Sequence, residues 1–94
     1  MPSFSEPGNT AVFTTKFVLF EKKEITRVYH DEEDGAWQFF SDDPFDNNED
    51  VAKIAALDEI VNLDKSVLEI ADLPMGSYAL RESRSAAWKT FKKL

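Results

Sequence analysis

Apolar side chains fall along this chain in two rhythms. Up to residue 41 they come in short runs dense in β-branched and aromatic residues: TAVFTTKFVLF (10–20), ITRVYH (25–30) and AWQFFS (36–41). Such runs suit a pleated, half-buried surface. Beyond residue 56 the interval lengthens to the three- and four-residue spacing of a helix. The first run predicts a strand, or two strand halves about Thr15 and Lys16, followed by a charged turn, EKKE (21–24). The next two runs are separated by DEEDG, whose closing Asp34-Gly35 is a strong turn dipeptide, so they predict a hairpin. Its register stays open. A slip of one residue exchanges Trp37 and Phe39 for Gln38 and Phe40 on the buried side.

DDPFDNNED (42–50) reads as a loop, and VAKIAAL (51–57) as either a short strand or a helical lead-in. In LDEIVNLDKSVLEIADL (57–73), Leu57, Ile60 and Val61 share one helical face. Val67, Leu68 and Ala71 share another, with Ile70 at its margin. The break between them lies near 62–66. Asp64 is placed to N-cap a second short helix, and Ser66 with Glu69 matches an S-x-x-E capping box. Pro74 and Gly76 end it. SYALRES (77–83) alternates Tyr78 and Leu80 with polar neighbours and reads as a final strand. Strands, then a helix pair, then a strand make an α+β domain. The expected form is a small, mainly antiparallel sheet of about four to five strands with a pair of short helices on one face. Residues 1–9, with two Pro, one Gly and two Ser, read as a flexible terminus, 10–83 as a single domain, and 84–94 as a basic amphipathic segment docked on it.

The 94 residues carry a formal charge of −7, and no Cys. Without Cys there is no disulfide, thiolate nucleophile or zinc–cysteine site, which fits a reducing cytoplasm. The acidic balance argues against nucleic acid, which demands a basic surface, and favours a basic protein partner. The first ten residues lack the basic start and apolar core of a signal peptide. No apolar run approaches the roughly 18–20 residues that span a bilayer, so a soluble cytoplasmic protein is expected.

Between His30 and Asp50 the chain holds nine carboxylates and no Lys or Arg, interleaved with Trp37, Phe39, Phe40 and Phe45. Two readings follow. In one, Asp31, Glu32, Glu33 and Asp34 at the hairpin tip join Asp42, Asp43 and Asp46 in the next loop as a docking face for a basic partner, with Trp37 as anchor. In the other, the aromatics are core and the acids keep loop ends soluble and guard a sheet edge. A calcium loop through Asp42, Asp46, Asn48 and Asp50 departs from the EF-hand pattern, which would need Gly where Asn47 stands and Glu where Lys53 stands. His30, the one His, has no sequence signal of an oriented nucleophile beside it. The seven Ser sit in no nucleophile-elbow motif, and the three Gly cannot build a phosphate cradle. Nothing in the pattern points to an enzyme, a cofactor or a metal.

RSAAWKTFKKL (84–94) places Trp88, Phe91 and Leu94 three residues apart among Arg84, Lys89, Lys92 and Lys93. As a helix it would show a basic amphipathic face, but about three turns are marginal alone in water. The expectation is that Trp88 and Phe91 dock back on the domain, or on a second copy in a homodimer, rather than on a membrane.

The ordered set DGAWQFFSDD (34–43), the acidic loop to Asp50, LDEIVNLD (57–64) and LEIADLPMGSYALRE (68–82) resembles the bacterial family called domain of unknown function 2185, over roughly residues 10–83. That family looks, from its genomic associations, like a group of immunity proteins. The resemblance implies a small α+β domain that blocks a toxin by binding it, and it carries no catalytic residues. The function expected is therefore an immunity-type inhibitor occluding a basic partner. The rival is a self-associating module whose acids serve solubility alone.

Overall fold

The computed structural model describes residues 4–43 and 51–92. Its strands are β1 (Ala11–Thr15), β2 (Arg27–His30), β3 (Trp37–Phe40), β4 (Ala52–Ala56), β5 (Ser77–Leu80) and β6 (Lys89–Lys92). They form one six-stranded sheet in the order β4-β1-β3-β2-β5-β6. β1 and β3 run parallel and every other neighbouring pair is antiparallel. The α+β class and the antiparallel bias hold. The sheet is wider than expected, and the parallel pair comes from long-range pairing that no local pattern encodes.

The helical elements are α1 (Lys16–Leu19), α2 (Leu57–Leu63) and a 3-10 helix (Lys65–Ile70). Their buried side chains (Val18, Leu57, Ile60, Val67 and Ile70) join Val12, Val28, Trp37, Phe39, Ala55 and Ala79 of the sheet in one cluster. Each large side chain sealed from water there contributes roughly 1.5–3 kcal/mol. The register of the hairpin is thereby fixed: His30 pairs with Trp37 and Arg27 with Phe40, which turns Trp37 and Phe39 inward. Gly35, at φ 71°, supplies the left-handed residue that its turn needs.

Two expectations are corrected. The second half of the first run is no strand. The Thr15 hydroxyl accepts the Val18 N–H at 3.4 Å, and the Lys16 N–H donates to the Val51 carbonyl at 2.8 Å. That capped turn swings Val18 into the core, where it is 1% exposed. The C-terminal segment is likewise no helix: β6 pairs along β5, Ser77 with Lys92 through Leu80 with Lys89. Pairing hides a row of β5 backbone groups that would otherwise lie on an open edge.

Trp88, just before β6, stacks under the Arg81 guanidinium at 4.0 Å and donates its indole N–H to the Ser66 carbonyl at 3.2 Å. Arg81 in turn pairs with Asp64 at 2.7 Å, with side chains 1% and 3% exposed. It also donates to the Ile25 carbonyl and the Ser66 hydroxyl. Asp64 caps the 3-10 helix as the pattern predicts, accepting the Ser66 N–H at 3.0 Å. Burial alone would raise its carboxyl pKa. The Ser66 hydroxyl and N–H, followed by the Arg81 and Arg84 charges, outweigh that and hold it below the usual carboxylate value.

The N-terminal segment makes its own contacts. Phe4 packs edge-on against Trp37 with centroids 4.9 Å apart, and Glu6 accepts the Trp37 indole N–H at 2.8 Å. No described helix is long and apolar enough to cross a membrane.

Candidate protein-docking surface

Strand geometry sends alternate side chains to opposite sides of a sheet. With one side packed, the other should be polar if it only meets water. Here it is not. The register lines up Ile54, Phe13, Gln38, Tyr29, Tyr78 and Phe91, one from each strand, straight across the outward side. Tyr29 and Tyr78 stack with centroids 5.7 Å apart, and Tyr78 and Phe91 at 5.2 Å. One step along the strands lie Phe40, Arg27, Leu80 and Lys89. Phe40 meets the Tyr29 ring at 5.8 Å and lies under the Arg27 guanidinium. Phe13, Ile54 and Phe91 are 45%, 67% and 42% exposed.

The acidic hairpin tip stands at one end of this face. The Asp31 N–H donates to the Ala36 carbonyl and the Gly35 N–H to the Asp31 carbonyl, closing the turn, while the Asp34 carboxylate accepts the Ala36 N–H. Glu32, Glu33 and Asp34 point into water. Asp31 accepts the Gln38 amide at 2.6 Å, so the tip is tied to the aromatic row itself.

Asp42 and Asp43 do not join the tip. They follow the far end of β3. Asp42 accepts the Thr26 hydroxyl at 2.5 Å and Asp43 the Ser41 hydroxyl at 2.7 Å. Four paired residues, roughly 13 Å of strand, separate the two ends of the hairpin. Asp46 lies outside the described residues, as does most of the would-be calcium loop. Trp37 is 2% exposed, stacked on His30 at 3.9 Å and covered by Phe4, so the expectation of a surface anchor there is corrected: it is core.

The His30 ring is held by the Leu73 carbonyl, 2.7 Å from Nδ1, and has Glu6 3.9 Å from Nε2. Its contacts fasten the N-terminal segment and the loop before β5 to the sheet. Among the described residues no three His, Asp or Glu side chains gather where a metal ion could sit. The aromatics that do gather, Phe13, Tyr29, Tyr78 and Phe91, were not singled out together by the sequence pattern. Their signal is that both parities of the strands are apolar, as in RVYH and WQFF.

Searches of curated proteins and of solved structures each return no match. A scan of family models matches residues 6–92 to the Immunity protein Imm33 domain, in keeping with the immunity-type resemblance. That span takes in all six strands and the helical elements between them, and on it the chain belongs to the Imm33 immunity protein family.

Proposed function

We propose that this protein neutralises a basic toxin by binding it and occluding its working surface, with the acidic hairpin tip steering the encounter. Membership in an immunity family supplies the class of partner. The observation that carries the choice of a basic one is Asp31, Glu32, Glu33 and Asp34 clustered on one turn with no cation in that loop, on a chain of charge −7. Charges at a surface in water add about 1 kcal/mol per pair or less. Collectively they raise association rates by roughly 10- to 1000-fold at low salt. Asp42 and Asp43, at the far end of the hairpin, would add a second, weaker acidic contact. The mode is occlusion rather than catalysis, and the cytoplasm, where an immunity protein guards its own cell, is the proposed place of action.

The test uses a candidate toxin domain, sought first in the reading frames beside this chain's own. Co-production of this chain should restore growth to cells making that toxin, and the purified pair should associate more slowly as salt rises. Reversing Glu32, Glu33 and Asp34 to Lys should slow association at low salt by about tenfold or more, with little change at high salt. Growth that is not restored, or association indifferent to both salt and reversal, would refute the proposal.

A further inference from the structure

The acidic tip can steer a partner but cannot hold one, since solvent-exposed charges give little net affinity. Holding requires apolar anchors that lose water on contact. The sheet offers them on its outward side. We infer that the toxin is held by that side, with Phe13, Tyr29, Tyr78 and Phe91 as anchors and the hairpin tip as one rim; this rests on the toxin-binding reading above.

The first ground is position. Inward-facing residues already build the core, so the fold has no need of aromatics facing out. The row, interrupted only by Gln38, makes an apolar patch of the few-hundred-Å² size that is often functional on a monomer, and Tyr and Phe are the residues interaction sites favour. The second ground is extent. Six strands span about 24 Å between the outer pair, and the two outward rows with their margins cover about 12 Å along them. The resulting patch is roughly 300 Å² in projection, against roughly 800 Å² that each partner contributes to a standard interface. It is the right size for the apolar centre and needs a polar rim to complete it. Both ends provide one: Asp31 to Asp34 on one side, Arg27 and Lys89 together with Asp42 and Asp43 on the other. Rigidity is the third ground. Tyr29, Tyr78 and Phe91 are stacked on paired strands, so little freedom is lost when they are covered.

Charge decides the occupant. A second copy carries the same net −7, so long-range attraction favours a basic partner over it. A folded toxin domain with an apolar patch bordered by Lys or Arg where it meets the tip is attracted.

The experiment measures, by calorimetry, affinity for the toxin domain that the growth test identifies. Phe13→Ser and Phe91→Ser, at partly exposed positions, should each weaken binding by about 30-fold or more, the loss expected of an anchor. Phe20→Ser serves as control: Phe20 is 69% exposed but sits at the end of α1, on the helical side, and should stay within about threefold of wild type. Circular dichroism checks that each variant is folded. Oxidative footprinting of the unaltered chain supplies a measurement that needs no variant: Tyr29 and Tyr78 should be protected in the complex. Folded serine variants that bind as wild type, or tyrosines as reactive in the complex as in the free chain, would overturn the inference. So would a wild-type dimer that dissolves in these variants while toxin affinity stays unchanged. Toxin that fails to bind the wild-type chain at all refutes the parent reading, and the inference falls with it.

Discussion

Phe39 and Phe40 are neighbours of identical chemistry on β3, and they meet different worlds. Phe39 has no exposed surface and stacks 6.1 Å from Trp37, within a cluster fed by three helical elements. Phe40 lies on the other side of the sheet, against Tyr29 and beneath Arg27 at the boundary with water. The same contrast runs along β1 between Val12 and Phe13 and along β2 between Val28 and Tyr29. On the inner side, packing is backed by a buried ion pair and a capped helix. On the outer side rings stack across strands with no layer of described residues known to press on them. A sheet needs only one packed face to be stable. Hydrophobicity on the second face therefore exceeds what a sheet packed on one side requires, which is the ground for the docking role proposed above.

If the inner side carries the fold, its ion pair is the place to strike hardest. Arg81→Ala should cost about 3–5 kcal/mol in denaturant unfolding, because it leaves Asp64 buried without its main counter-charge and removes the cation from the Trp88 ring. That is a large share of the roughly 5–10 kcal/mol expected for a domain of this size. A cost below about 1 kcal/mol, as for a surface pair, would blur the distinction between the two sides.

Acid gives a gentler test of the same knot. The folded-state pKa of Asp64 is depressed, so its contribution is fully present above the unfolded carboxyl value, about 3.9, and is lost as pH falls through the lower folded value. Stability should accordingly decline with acid below about pH 4. Asp64→Asn should be less stable at neutral pH and should flatten that part of the decline. Parallel pH profiles for the two proteins would mean that the carboxylate does not link protonation to folding.

Much of this was legible in the chain. Asp34-Gly35 announced the hairpin, Asp64 announced the cap of the second helical element, and alternation at Tyr78 and Leu80 announced β5. What local pattern could not supply was orientation and partnership. Tyr78 and Leu80 are larger than Ser77 and Ala79, yet Ser77 and Ala79 face the core, in the side on which Val67 and Ile70 lie. Phe17, Val18 and Leu19 have strand-forming composition, but the Thr15 cap and the Val51 carbonyl bend them into α1. Trp88 and Phe91 sit three apart as on a helix, while the free edge of β5 recruits their segment as a strand. The acidic residues were legible as a group and not as an arrangement, because only the register shows that the tip and the pair Asp42 and Asp43 lie at opposite ends of the hairpin.

The division of labour between the two sides is tested most directly by equilibrium unfolding of Val12→Ala and Phe13→Ala, adjacent positions on β1. Val12 is 1% exposed and Phe13 45%. Losing the smaller, buried side chain should cost about 1–3 kcal/mol, and losing the larger, outward one about 1 kcal/mol or less. If Phe13→Ala proves as damaging as Val12→Ala or more so, the outward row is part of what holds the protein folded, and it is not a surface kept free for a partner.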